Sequence, residues 1–266
     1  MGSPLRLSAE ELASKYDLGE ELTERALERI EARDVWFVGF SGKIGAGKDT
    51  VAPLAFGLLK DPELVRTDSF GLNLKEEFGE LISLVLQQPN SSNAGKLAAS
   101  RFGVPRDQAL EVVDMIWEEV HSGVLTSGFA KTPASRLGLQ YWATEIRRAQ
   151  DPLHWVKPVI GRTIDAAARG VSTQLTDVRF LTEVWGVLDA GGFAVRLDVT
   201  QPEQRRRVFE RDGIEISEGA RLHSSETELD DFEHFTARVQ TEDHDSVEQV
   251  ADASARAVAR AASRLF

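Results

Sequence analysis

Val35-Trp-Phe-Val-Gly-Phe-Ser-Gly-Lys-Ile-Gly-Ala-Gly-Lys-Asp-Thr50 is a short apolar run that empties into a glycine-rich turn ending in lysine. Val35 to Phe40 has the length and apolarity of a strand buried on both faces of a parallel sheet. Gly42, Gly45 and Gly47 let the backbone turn with its N–H groups pointing inward. A helix starting near Lys48 would add its positive N-terminal end, and the Lys48 ammonium can reach β- and γ-phosphates. The spacing Gly42, four residues, Gly47, Lys48 meets the Walker A pattern in context, with a strand before it and a helical stretch, Thr50 to Lys60, after it. The expected phosphate site is therefore Gly42, Lys43, Ile44, Gly45, Ala46, Gly47, Lys48, Asp49 and Thr50. A turn that merely joins strand to helix would explain the glycines but not Lys48. The position after the lysine, normally Ser or Thr, holds Asp49, and the hydroxyl comes one residue later at Thr50. Which of the two meets Mg²⁺ stays open.

At 266 residues, 42% of them hydrophobic, the chain suits one α/β domain with insertions. Without cysteine it has no disulfides and no thiolate metal sites, which fits a reducing compartment. No stretch approaches the ~20 apolar residues of a membrane span, and the N-terminus lacks a signal peptide's basic and apolar regions, so a cytoplasmic protein is expected. A formal net charge of -12, from 31 basic and 43 acidic residues, opposes long-range attraction to DNA or anionic membranes. It does not oppose a small phosphorylated ligand, because a local cluster of arginines dominates at contact distance after screening over ~10 Å.

Residues 1–34 read as two short helices, with Ser8 capping Ala9 to Tyr16 and a second helix over Glu20 to Arg33. Their glutamates argue for a packing extension rather than a DNA reader. Leu64 to Thr67 is a second strand, and Asp68, Ser69 and Phe70 follow at its carboxyl end, where ligands bind in open α/β sheets. Residues 71–125 look helical around a polar loop at Pro-Asn-Ser-Ser-Asn, with a second helix from Arg106 to His121. A further helix runs from Leu137 through Arg148. On it Gln140, Thr144, Arg147 and Arg148 lie at i, i+4, i+7 and i+8, one face that could meet a ligand; a solvated helix with Glu145 paired to Arg148 is the alternative. Trp155 to Ala168 is amphipathic. Val171 to Phe180 is a third strand whose Asp177 suits Mg²⁺ or its waters. Residues 183–190 form a short helix, Phe193 to Val199 a strand, and Thr236 to Gln240 a last strand before an alanine-rich helix, Ser246 to Leu265. Between them Gln201 to Arg211 carries Arg205, Arg206, Arg207 and Arg211, the composition of a lid over a transferring phosphoryl group or of a solvated basic face.

Five blocks in order resemble the bacteriophage deoxynucleoside monophosphate kinases of the P-loop nucleoside monophosphate kinase-like fold. They are Gly42 to Thr50; Ser69-Phe70 with Leu74-Lys75; Thr132-Pro133, Arg136, Leu139-Gln140, Thr144-Glu145, Arg147 and Trp155; Thr176 to Phe180 with Glu183 and Gly191-Gly192; and His223 to Leu229. The sequence departs from the family at Ala143, where a glycine is expected, and at Asp68. The resemblance implies a three-layer α/β/α P-loop kinase fold with a parallel sheet, a helical acceptor-side insertion and an Arg-rich lid. The implied organisation is an N-terminal extension over 1–34 and a kinase domain over 35–266, with the insertion at about 71–168 and the lid at about 201–225. It implies transfer of the ATP γ-phosphoryl to the 5′-phosphate of a deoxynucleotide. Taking the residue-by-residue reading and the resemblance together, Lys48, Asp68, Asp177, Arg179 and Arg207 would serve the chemistry, Asp68 on its strand-end position rather than on the resemblance, and Asp49, Thr50 and Asp177 would serve Mg²⁺. Asp68, Ser69, Phe70, Lys75, Arg136, Gln140, Thr144, Arg147, Arg148, Arg179, Arg205 and Arg211 would contact the substrate. The rival acceptor is a hydroxyl such as 5-hydroxymethyluracil in phage DNA, with Asp68 or Asp177 as base. A non-catalytic nucleotide-binding module is the third reading. The expected partner is thus a nucleotide, or a modified base in DNA; no membrane is expected, and a homodimer stays open.

Overall fold

The structure, a computed structural model, describes residues 7–60, 62–130, 132–213, 215, 218–244 and 246–263. Two compact units form, Met1–Phe70 with Val156–Phe266, and Gly71–Trp155. The strands are β1 (Phe37–Gly42), β2 (Val65–Asp68), β3 (Ser172–Val178), β4 (Phe193–Asp198) and β5 (Ala237–Gln240). The helices are α1 (Ala9–Tyr16), α2 (Glu20–Glu31), α3 (Lys48–Gly57), α4 (Phe70–Leu86), α5 (Ser91–Phe102), α6 (Arg106–His121), α7 (Pro133–Gln140), α8 (Val156–Ala168), α9 (Leu181–Asp189), α10 (Gln201–Asp212), α11 (Glu218–Leu222), α12 (Ser224–Thr227) and α13 (Val247–Ser263).

In the first unit the strands make one all-parallel sheet in the order β2-β3-β1-β4-β5. β1 is central, and every residue in it is buried, as expected for a strand covered on both faces. Val38 and Phe40 pack into one apolar cluster with Val51, Ala55 and Phe56 of α3 and Val250 and Val258 of α13. On the other face a Cβ at Gly39 would stand 2.9 Å from both Val178 and Val187, so this glycine lets α9 lie close to the sheet. Helices α8 and α9 cover that face, and α1 and α2 pack on α8. The result is three layers, α/β/α.

The sequence-derived strand Val35 to Phe40 is displaced by two residues, to Phe37–Gly42. The ladder continues into the glycine motif because Ser41 pairs with Val178 and Arg196, and Gly42 with Leu197. Residues 7–34 spend their apolar faces on packing: Leu12, Tyr16, Ala26 and Ile30 are buried. Tyr16 Oη and Lys15 Nζ each donate to Asp189 Oδ2 at 2.7 Å, tying α1 to α9. Ser8 caps α1, accepting the N–H of Glu11.

The second unit is helical, with a core of Phe78, Leu81, Ile82, Val112, Ile116, Trp142 and Ile146. The polar stretch read as a loop is instead the start of a helix. Asn90 accepts the Asn93 N–H at 2.9 Å and α5 begins at Ser91. Asparagine and serine compete with the helix backbone in mid-helix but satisfy its orphan donors at the cap. Thr132 caps α7, with Ser135 returning the bond. The helix expected over Leu137 to Arg148 changes character, since Tyr141–Arg148 is a π-helical turn. Among the described residues no helix is long and apolar enough to cross a membrane.

Candidate functional site

The loop between β1 and α3 leaves the carboxyl end of the central strand, flanked by the ends of β3 and β4. Gly45 and Gly47 have φ of +80° and +82°, the left-handed region that favours glycine. Gly45 is doubly constrained, because a Cβ there would lie 3.2 Å from Val208 and 3.3 Å from the Gln204 carbonyl of α10. Lys48 opens α3 and is 7% exposed. Its Nζ turns back into the loop, donating to the carbonyls of Gly42 at 2.5 Å and Lys43 at 3.1 Å. Burial, then the neighbouring Arg179 guanidinium, push its ammonium down to about 7. Asp49 and Thr50 are exposed on the first turn of α3.

Three arginines, Arg179, Arg196 and Arg207, and four acidic side chains, Glu226, Asp230, Asp198 and Glu203, stand around this loop. Glu226 of α12 accepts the backbone N–H of Ile44 at 2.7 Å through Oε2, and its Oε1 takes the Arg179 guanidinium. Asp230 takes Lys43 Nζ at 2.6 Å through Oδ2 and Arg196 Nη2 at 3.0 Å through Oδ1. Arg196 is 5% exposed, donates to Ser41 Oγ at 3.0 Å, and pairs also with Asp198. Arg207 of α10 reaches the Gly45 carbonyl at 3.4 Å and pairs with Glu203 at 2.7 Å. Glu203, bonded first by Arg206 and also by Arg207, is held down to about 2. Arg206 is bracketed by Glu203 and Glu210. Arg205 and Arg211 are exposed, and Arg205 lines a cavity of ≈ 600 Å³ with Phe209, Glu218 and Arg221. Of the segment expected as a lid, residues 214, 216 and 217 lie outside the described residues.

Asp177, at the end of β3, accepts the Phe70 N–H at 2.9 Å. Arg179 follows, its N–H held at 2.8 Å by Glu183, the buried acid that also caps α9. These residues flank Val178, whose partner across the sheet is Ser41, so Asp177 and Arg179 stand beside the loop's entry. Asp68, at the end of β2, has a fully buried side chain. It takes Arg66 Nη2 at 2.7 Å, Arg162 Nε at 2.9 Å and Nη2 at 3.0 Å, and the Ser69 N–H at 2.8 Å. Phe70 is 2% exposed, so its ring is core rather than a stacking surface.

The helical unit holds the remaining sequence-derived contacts. Arg147 is 7% exposed and donates to Glu77 and to the Phe102 carbonyl, both at 2.7 Å, with Trp142 and Phe102 rings against its guanidinium. Gln140 is exposed, Thr144 and Arg148 are half-buried. The single face expected for these residues assumes a regular α-helix, and the π-helical turn advances each residue by a smaller angle, turning Arg147 into the core. Arg136 is exposed on α7. Lys75 lines a cavity of ≈ 820 Å³ together with Glu80, Arg101 and Phe129.

No protein-family model matches this chain, and no curated protein matches it. What the site can do must come from its own chemistry. The loop presents backbone donors, a helix N-terminus and a buried lysine to an anion, and Ile44 N–H already holds one in Glu226. For a metal ion the available donors are the Asp49 carboxylate and Thr50 hydroxyl on α3 and Asp177 on β3. Among the described residues no three His, Asp or Glu side chains cluster as a ready-made metal cage. That donor set fits Mg²⁺, which keeps several waters and is held by one or two carboxylates plus phosphate oxygens.

Sequence reasoning did not single out Glu226, Asp230, Arg196, Arg66 or Arg162. Two of the arginines carried a signal. Arg66 with Asp68, and Arg196 with Asp198, are i,i+2 pairs on strands, and such residues share a face. Glu226 lies in the block His223 to Leu229, but neither it nor Asp230 carried a local sign of its contact, because their partners are 182 and 187 residues away.

Proposed function

We propose that the protein is an ATP-dependent kinase that transfers the γ-phosphoryl group to the 5′-phosphate of a deoxynucleoside monophosphate. The observation that carries the reading is the glycine loop at the end of the central parallel strand, with Lys48 folded into it and an N–H of the loop already bonded to an anion. The all-parallel order β2-β3-β1-β4-β5 puts that loop where open α/β sheets bind ligands, beyond the strand ends. The family resemblance supplies the acceptor. Arg136, Gln140 and Thr144 are proposed as acceptor contacts on that resemblance, and Arg148 on its place in the helix with Gln140 and Thr144.

In this mechanism the loop N–H groups and the α3 N-terminus cradle the donor phosphates, and Lys48 regains a full charge beside them. Arg179 and Arg207 neutralise the oxygens of the group in transfer. Thr50 or Asp49, with Asp177, would hold Mg²⁺, which would supply positive charge to offset that of the phosphates. A phosphomonoester acceptor, with a second pKa near 6, is already largely ionised at neutral pH, so positioning rather than proton removal carries the reaction. This agrees with the state of Asp68. Its oxygens are engaged by two guanidinium groups and a backbone N–H, an arrangement that orients arginines instead of offering a lone pair to a hydroxyl. Incubation with ATP, Mg²⁺ and each deoxynucleoside monophosphate should give the diphosphate and ADP. Phosphate transfer only to hydroxymethyluracil-containing DNA, or to no acceptor, would overturn the proposal.

A further inference from the structure

Glu226 is an anion bonded directly to the glycine loop. Its Oε2 accepts the Ile44 N–H at 2.7 Å, and its other oxygen holds Arg179, so one carboxylate bonds both a loop amide and the arginine beside the loop. The Glu226 side chain is 8% exposed, which separates it from a surface carboxylate that happens to lie near a cation. Its neighbour Asp230 makes the matching contact one residue earlier in the loop, on Lys43 Nζ at 2.6 Å. The short segment carrying both acids is itself anchored. Leu229 is 1% exposed, and Glu228 accepts the Leu181 N–H at 2.7 Å. The carboxylate is therefore delivered to the loop by a fixed piece of backbone.

We propose that Glu226 is a built-in phosphate substitute, which holds the empty loop and Arg179 in their binding geometry and is displaced when the nucleotide's phosphates arrive. Two requirements drive this. The part-buried Ile44 N–H would be left without its acceptor if Glu226 were absent from the empty loop, and an unsatisfied donor withdrawn from water is costly. A carboxylate left within ~4 Å of the incoming phosphates would repel them strongly at low dielectric, so it cannot stay. Arg179 then exchanges one anionic partner for another without leaving the site. Pre-organisation is gained at the cost of competition, and the competition lowers the apparent nucleotide affinity.

The inference rests on the loop being a nucleotide site, and the test separates the two. ATP·Mg²⁺ binding is measured by calorimetry for the wild-type protein, Glu226→Gln and Lys48→Ala, with the fold of each checked by its melting transition. Glutamine keeps an acceptor for the Ile44 N–H but removes the charge, so Glu226→Gln should bind ATP about tenfold tighter, a change of about 1.4 kcal/mol. The Ile44 amide should be protected from hydrogen exchange in the empty wild-type protein and in the ATP complex, but exposed in empty Glu226→Ala. Equal or weaker binding by folded Glu226→Gln, with wild-type binding intact and lost in Lys48→Ala, overturns the displacement and leaves the phosphate loop standing. Absence of ATP binding by wild type and Glu226→Gln alike overturns both. Should Glu226→Gln fail to fold, Glu226→Asp, one methylene short of the Ile44 N–H, carries the same comparison.

Discussion

Lys48→Met removes an ammonium from the loop while keeping most of its stem, and the consequence is a pH dependence of known sign. In the folded protein the Lys48 proton leaves near pH 7, against an ordinary value of 10.5, because the group is buried beside Arg179. Between those values the unfolded chain holds one proton more than the folded one, so stability rises with pH across the window. The slope contributed by this residue is about 1.4 kcal/mol per pH unit, and the whole shift amounts to about 5 kcal/mol. Below pH 7 the penalty is fully present, and above 10.5 it has vanished. Methionine has no such slope. Loss of the bonds to the Gly42 and Lys43 carbonyls shifts the variant by a constant that does not alter the comparison with pH. Urea unfolding of both proteins at pH 7, 8 and 9 should show the wild type gaining on Lys48→Met by roughly 2 kcal/mol in total over this range. Saturating ATP·Mg²⁺ should flatten the wild-type slope, since phosphates restore the lysine charge. Parallel curves for the two proteins without nucleotide would refute the argument that Lys48 sits desolvated in the loop.

Gly45→Ala should cost about 1–2 kcal/mol through its left-handed φ and weaken ATP binding through the added contacts with Val208 and Gln204 of α10; unchanged binding would mean that the loop does not need this conformation. Asp68→Asn should destabilise by about 3–5 kcal/mol, because it leaves two buried-side guanidinium contacts without their anion, while turnover of the folded protein stays within a few-fold. A loss of turnover of about 10²–10⁴ without a stability change would instead make Asp68 a base. Arg147→Met should lower the stability of the helical unit by about 3 kcal/mol, leaving Glu77 and the Phe102 carbonyl short of a donor, and a change under about 1 kcal/mol in thermal or urea unfolding would show that the pair behaves as an exposed one.

The α/β alternation of unit one was legible because its signals are local. An apolar run followed by glycines marks a parallel strand and its turn, and Ser8 before an amphipathic octet marks a helix start. The misreadings have equally physical causes. Asn90 and Ser91 look like loop residues by composition, yet the same side-chain oxygens that disfavour a helix interior cap its first turn. The π-helical turn at Tyr141–Arg148 follows from how the turn is hydrogen-bonded, not from any residue type, so a 3.6-residue period put Arg147 beside Gln140 and Thr144 when it is a buried pin on Glu77. For the site, the donors on the loop were visible and their anionic partners were not. A carboxylate that approaches from 182 residues away leaves no periodic trace.

Those partners alter what the composition implies. A net charge of -12 argues against a large anionic ligand only if charge is spread evenly. Around the loop it is not. Lys48, Arg179, Arg196 and Arg207 converge there, and each is compensated locally: Lys48 by carbonyls, Arg179 by Glu226, Arg196 by Asp198 and Asp230, and Arg207 by Glu203. A site that received several negative charges, as proposed, would have to survive without them, since uncompensated buried cations are expensive. Two features of the loop would serve that end, a lysine whose ammonium is disfavoured by burial and carboxylates that occupy the arginines. Phosphate binding on this view is an exchange of anions, in which internal acids yield their donors to the ligand. On the proposed reading the empty site keeps part of that cost in stability, through Lys48 at and below neutral pH, and passes the rest to affinity, where nucleotide concentration can overcome it.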